Sequence, residues 1–372
     1  MSKPYLLFFL LICFTCGNGQ VNRDSLFAAS LDKAFSGVFN KDEPGGAVFI
    51  QQGSNILYNQ SFGLADIKSK EKFSHATVAN LGSISKTFVA YGILLLQQQG
   101  KLSVDDNLLK YFPDFSNKEI AKKIKLRHLM SHTSGLPDSR KTETDSIFYL
   151  TAKDAENFEP LKSTVRLEFE PGTQWKYSNP AYNGLALVIE KVTKQKWQDF
   201  IRLNIFTPAH MDHSKITDGA FPEAGVAHGY RTINGSFEEY DYGEYPTFCA
   251  AGNGGVWSSI DDLRNYVAAI QNCSFLNCNI IDKSKQVWLP GNWSSANTMV
   301  HTTVWFKHTG IVPYYASPGQ YKVVEHTGDQ GGFKAHLIMV LEIEMTIIWI
   351  TNNDRFITDI IGKALVDLHY FN

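Results

Sequence analysis

The sequence predicts an α+β fold in which an antiparallel sheet, built from both ends of the chain, is flanked by the terminal helices. Three observations predict it. Strand-like alternation is confined to residues 45–62 and 321–351, near the two ends. Helical periodicity and loops fill the middle. Residues 24–39 and 355–368 carry helical patterns that close the chain at both ends. The sheet-bearing part is expected at about 20–82 and 250–372, and an all-helical part at about 83–249. No Pro/Gly-rich linker marks an independent second domain.

Taken in order, residues 45–52 and 56–62 read as strands around the turn Gly53-Ser54-Asn55. Small residues then lead to Ser83, and an apolar run over 88–96 continues to Gly100. That pattern predicts a helix from about Ser83 to Gly100, with glycine as the stop. Residues 104–112 and 125–131 read as short helices. Residues 180–193 keep Leu185, Val188, Ile189 and Val192 on one face, and Asn179-Pro180 fits an N-cap followed by proline at the first helical position. Residues 260–270 form another helix entered through Ser258-Ser259. Residues 321–325, 334–341 and 345–351 read as strands, and Glu342 and Glu344 exclude a membrane span there.

The first twenty residues differ from the rest. Lys3 precedes an apolar run over 5–14, and Gly17 and Gly19 follow, which reads as a secretory signal peptide over 1–19. The run is too short to span a bilayer comfortably. The mature chain, from 20 to 372, is therefore expected to be exported, periplasmic or secreted. Three cysteines remain: Cys249, Cys273 and Cys278. The last two flank a four-residue loop and suit a disulfide in an oxidising compartment. Asn59, Asn234, Asn272 and Asn292 open Asn-x-Ser sequons. The 372-residue chain is 44% hydrophobic and 19% charged, enough for a sizeable core. Its formal net charge of -2 argues against nucleic acid or an anionic membrane surface as a main partner. Oligomeric state leaves no mark in the sequence.

The chemistry is concentrated in a few stretches. On a helix, residues three apart share a face, so Ser83 and Lys86 stand one above the other at the helix start. A desolvated lysine there can lose its proton and activate the serine. Ser30/Lys33 and Ser69/Lys72 share the spacing, but the first lies in an amphipathic helix and the second in a charged run. Tyr177 and Asn179 lie two apart in an extended stretch after Pro171-Gly172 and point the same way. Beside a lysine cation the Tyr177 phenol is expected to be lowered and to serve in proton transfer, unless it simply packs in its loop. Glu325-His326-Thr327-Gly328-Asp329-Gln330-Gly331-Gly332 lies between two strand patterns, where glycine lets a substrate backbone approach. His308-Thr309-Gly310 is a similar triplet without the glycine pair. His128 and His132 are four apart, but no glutamate lies between them and Gly135-Leu136-Pro137 ends the helix, so no metal site is expected. Gly-x-Ser-x-Gly and phosphate-binding glycine loops are absent.

Ser83-x-x-Lys86, Tyr177-x-Asn179 and His326-Thr327-Gly328, in that order, resemble the serine β-lactamase and penicillin-binding-protein superfamily, in its class C β-lactamase-like branch of serine hydrolases. Residues 126–137, 171–183, 205–211, 227–230 and 251–258 resemble that branch as well. The resemblance implies a β-lactamase/transpeptidase-like fold with the active site in the cleft between the two parts. It implies an acyl-enzyme on Ser83, proton work shared by Lys86 and Tyr177, and Asn179, His326, Thr327 and Gly328 as substrate-binding residues. The backbone N–H groups of Ser83 and Asp329 would form the oxyanion hole. No cofactor and no metal are implied. The substrate would be a small molecule or peptide with an amide or ester: a D-alanyl-D-alanine carboxypeptidase-like activity, a carboxylesterase, or a penicillin-binding sensor without turnover.

One departure stands out. His326 occupies a position where lysine is usual in that superfamily. A histidine is mostly neutral at pH 7, so carboxylate-bearing substrates are expected to be turned over better at mildly acid pH, through a protonated His326.

Overall fold

The computed structural model describes residues 15–142, 144–218, 225–239, 249–286, 299–301, 306–309 and 321–370. The apolar run expected to be a signal peptide lies outside the described residues, as do Asn292 and Gly310. Helix α1 (Thr15–Ser36) opens the described chain. Strands β1 (Gly46–Gln52) and β2 (Asn55–Phe62) form the expected hairpin. A 3₁₀ turn over Gly82–Ile84 leads into helix α2 (Ser85–Gln98), so the helix expected from Ser83 is split at its first turn. The middle carries helices α3 (Asp154–Lys162) and α4 (Asn179–Thr193), the turn α5 (Ala251–Gly254) and helix α6 (Ile260–Gln271). Strands β3 (Met299–His301), β4 (Phe306–Thr309), β5 (Lys322–Gln330), β6 (Phe333–Val340) and β7 (Met345–Thr351) precede the last helix, α7 (Thr358–Asp367).

These strands form one seven-stranded sheet in the order β3-β4-β5-β6-β7-β1-β2, and every pairing in it is antiparallel. The centre joins the two ends of the chain, where Gly46 pairs with Thr351 and Gln52 with Met345. Side chains alternate across a strand, and both faces are buried here. Val48, Ile50, Ile347 and Trp349 pack with Phe27, Leu31, Ile361 and Leu365 of the terminal helices. Ala47, Phe49, Ile348 and Ile350 join the larger core around α2, α4 and α6. That two-sided burial explains why β1 and β7 are nearly continuous apolar runs.

Several boundaries differ from the sequence expectation, each for a local reason. Helix α4 is capped by Ser178, whose hydroxyl accepts from the Ala181 N–H, so Asn179 is already helical and Pro180 is second. The stretch 104–112 is helical only over Leu108–Tyr111. Strand β5 runs through His326-Thr327-Gly328 rather than stopping before them. It stays in register with β6 down to Gln330 opposite Phe333, and Gly331 and Gly332, with φ of 51° and 81°, make the tight turn. The glycine pair therefore serves a hairpin. The Cys273–Cys278 disulfide is formed, and Cys249 is buried. Among the described residues no helix is long and apolar enough to cross a membrane.

The end of β5 is pressed against the turn that carries Ser83. A Cβ on Gly328 would overlap the Leu81 carbonyl oxygen, and one on Gly82 (φ 50°) would sit 2.6 Å from the Asp329 nitrogen. The close approach that Gly328 permits is thus to the protein's own backbone. Gly328→Ala should cost about 1–3 kcal/mol of stability through overpacking. Denaturant melts check this, and an unchanged midpoint would contradict the close packing.

Candidate active site

Four separate segments meet at Ser83. The 3₁₀ turn holds the half-buried serine, and α2 carries Lys86 one turn on. Lys86 is fully buried, and its Nζ lies 2.9 Å from Ser83 Oγ and 2.7 Å from the Asn253 carbonyl oxygen of α5. The Tyr177 hydroxyl, just before α4, donates to Ser83 Oγ at 2.9 Å. The fourth segment is the end of β5, where Asp329 lies beside Gly82.

The electrostatics separate the two partners of the serine. Burial, and then the charge of Arg140, hold the Lys86 amine well below its ordinary value. Among the described residues no carboxylate is paired with it. Lys86 Nζ donates to Ser83 Oγ and to the Asn253 carbonyl oxygen, and once it has given up a proton its lone pair can accept the one on the Ser83 hydroxyl. Burial pushes the Tyr177 phenol up, and its hydrogen bond to Ser83 offsets only part of that. The expected lowering of Tyr177 is therefore not found. Desolvation penalises the phenolate more than the Ser83 hydrogen bond favours it. Tyr177 is a neutral proton donor.

Tyr177 is held by a residue that sequence reasoning weighed as a metal ligand. His132 Nδ1 accepts from the Ser178 N–H at 3.1 Å, its carbonyl accepts from the Lys176 N–H at 2.9 Å, and its ring lies 4.3 Å from the Tyr177 ring. His128 instead caps its own helix, Nδ1 accepting from the Lys125 N–H. Burial, then the charges of Lys125 and Arg127, lower it to about 4. Among the described residues no group of three or more His, Cys, Asp or Glu is placed to hold a metal ion.

Ser83, Asn179 and Asp329 line one cavity of about 300 Å³. Its wall also carries Asp138, Arg140 and Gln330, none of which the sequence singled out. Arg140 is tied to Asp138 through Nε and Nη2 at 2.8 and 2.6 Å, and to Asn157 through Nη1 at 2.7 Å. His326 has no exposed surface, and its side chain is not on the wall of this cavity. Its Nδ1 lies 2.8 Å from the Thr327 carbonyl, which can only accept, so Nδ1 carries the proton. Thr327 is half-buried. The Asp329 carboxylate faces outward and pairs with Lys334, which leaves its backbone as the part of the residue nearest Gly82.

The Beta-lactamase family model matches residues 24–368. Penicillin-binding protein 4* of Bacillus subtilis (strain 168) is 27% identical over 340 residues, covering 87% of this chain and 72% of that protein. Protein flp of Staphylococcus aureus (strain COL) is 30% identical over 191 residues, covering 50% of this chain and only 38% of its own length. The octameric penicillin-binding protein homologue from Pyrococcus abyssi has a TM-score of 0.75 at 20% identity, over 95% of this chain and 78% of that one. The D-amino acid amidase from Ochrobactrum anthropi SV3 has a TM-score of 0.74 at 20% identity, over 94% and 98%. These two likenesses show the β-lactamase/transpeptidase-type fold, and the family match over nearly the whole chain shows that the chain belongs to the Beta-lactamase family.

Proposed function

We propose that this protein is an exported serine hydrolase that forms an acyl-enzyme on Ser83 from an amide or ester substrate. The observation that carries the reading is Ser83 Oγ at 2.9 Å from both Lys86 Nζ and the Tyr177 hydroxyl, with the lysine desolvated. Neutral Lys86 takes the serine proton as Oγ bonds to the substrate carbonyl carbon. The N–H groups of Ser83 and Asp329 face the developing oxyanion. Tyr177 gives its proton to the leaving group and regains one from the Lys86 ammonium. Water, activated the same way, releases the acyl group. Asn179, on the cavity wall, orients the substrate.

An amide substrate is the preferred reading, because the cavity wall is polar and carries Asp138, Arg140 and Gln330. The likeness to the D-amino acid amidase and to penicillin-binding proteins supports it. His326 is fully buried and not on the cavity wall, so this reading gives it no contact with a substrate carboxylate. Export is supported by the N-terminal sequence pattern and by the Cys273–Cys278 disulfide.

Intact-mass measurement after a fluorophosphonate probe should show one adduct on the wild type and none on Ser83→Ala. A penicillin adduct as well would favour the peptidase-like reading, and a stable one without product release would favour a sensor. Probe labelling without penicillin labelling would favour an esterase, and an unlabelled wild type would overturn the proposal.

Lys86 also links activity to stability. Its folded pKa lies below the unfolded value of about 10.4. Between the two values the unfolded chain binds more protons, so stability rises with pH across that interval. Lys86→Met should flatten the rise of melting temperature toward pH 9 and abolish labelling. A variant whose melting temperature rises with pH as steeply as the wild type's would contradict a depressed lysine.

A further inference from the structure

The Asn253 carbonyl that holds Lys86 belongs to a four-residue turn, α5, which has too few internal hydrogen bonds to fix itself. What fixes it comes from elsewhere in the fold. Asp154, at the start of α3, is 7% exposed, and three donors converge on its carboxylate. Oδ1 accepts from the Gly252 N–H at 2.8 Å and from Asn183 Nδ2 at 2.6 Å, and Oδ2 accepts from Trp197 Nε1 at 2.9 Å. Asn183 passes the link on, its Oδ1 accepting from Asn253 Nδ2 at 2.9 Å. One oxygen thus grips the backbone of residue 252 directly and the side chain of residue 253 through one relay. The carbonyl between these grips and Gly254 is the one 2.7 Å from Lys86 Nζ.

We propose that Asp154 is a positioning residue for Lys86, acting through Gly252 and Asn183 to aim the Asn253 carbonyl at the amine. This inference rests on Ser83 and Lys86 being the reacting pair. A carboxylate suits the task because it accepts from three donors and donates to none. Its retention is not a gift to stability. Burial raises Asp154 to about 6, with the Glu190 charge adding to it, so the folded state holds the proton more tightly than the unfolded one. Its contribution to stability therefore falls as pH rises from about 4 to about 6. Asp154, Lys153, Glu156 and Asp218 are the charged groups felt by the Cys249 thiol next to this network.

The two oxygens make the inference separable from a structural role. Trp197→Phe removes the donor to Oδ2 and leaves the grip on α5. Asp154→Ala removes everything, and Asn183→Ala cuts the relay alone. Asn in place of Asp154 keeps an oxygen for Gly252 and Asn183 but turns an NH₂ toward Trp197, a clash that Trp197→Phe relieves. Labelling by a fluorophosphonate probe, at saturating and sub-saturating concentrations, is measured beside the melting temperature. Asp154→Ala and Asn183→Ala should lower the saturating rate by at least about tenfold, with the half-saturating concentration changed less than about threefold. Trp197→Phe should lower the melting temperature and keep the rate, and Asp154→Asn with Trp197→Phe should recover it. A rate that follows the melting temperature across the series, or an Asp154→Ala variant with an unchanged saturating rate, overturns the inference. If Asp154→Ala does not fold, Asn183→Ala and the double variant decide alone. A wild type that is not labelled would count against the hydrolase reading instead.

Discussion

A lysine buried with no counter-ion among the described residues is the constraint on which the rest of this structure depends. Burying a cation unpaired is costly, and a protein meets that cost by letting the amine go neutral. Here Lys86 lies at the start of a helix whose residues from Ser85 to Leu96 are all buried. Tyr177 and Tyr182 rings lie 5.2 and 5.9 Å from its Nζ. Among the described residues its polar partners are a hydroxyl and a carbonyl. The surroundings that make the helix core-like are the same ones that make the lysine a base.

The other parts hold that lysine's partners in place. Ser83 is fixed by a tight turn wedged against β5, with Gly82 and Gly328 removing the side chains that would keep the two backbones apart. Tyr177 is fixed by His132 on one side and by the start of α4 on the other. The Asn253 carbonyl is fixed by a turn tied into α3 and α4. None of these segments is near another in sequence. The sheet brings the chain ends together, and the cavity opens where the end of β5 meets the helical part.

Much of this was legible in the chain. The strands at both ends could be read because alternation at period two and two-sided burial leave a clear pattern. The Ser83–Lys86 spacing recurs at Ser30/Lys33 and Ser69/Lys72, so the apolar run after it and the family resemblance had to single it out, and the same resemblance rather than local pattern assigned Tyr177 and Asn179 their roles. What stayed hidden depends on contacts between distant segments. A backbone carbonyl such as that of Asn253 has no sequence signature. Asp154 looks like any acidic residue opening a helix, and Arg140 like any loop cation. For Tyr177 the sequence points to the wrong direction of shift, because the burial of the phenol that raises it leaves no local pattern. Glycine beside a strand suggests an approach for substrate, whereas Gly331-Gly332 makes a hairpin turn, a use that two glycines between paired strands also suit.

The most direct test of a neutral Lys86 is the pH dependence of Ser83 modification by a fluorophosphonate, followed by intact mass from pH 5 to pH 10.5. A depressed lysine predicts a rate that climbs on the acid side and reaches a plateau well below pH 10. A rate that keeps rising tenfold per pH unit up to about 10.4, as an ordinary lysine requires, would contradict it.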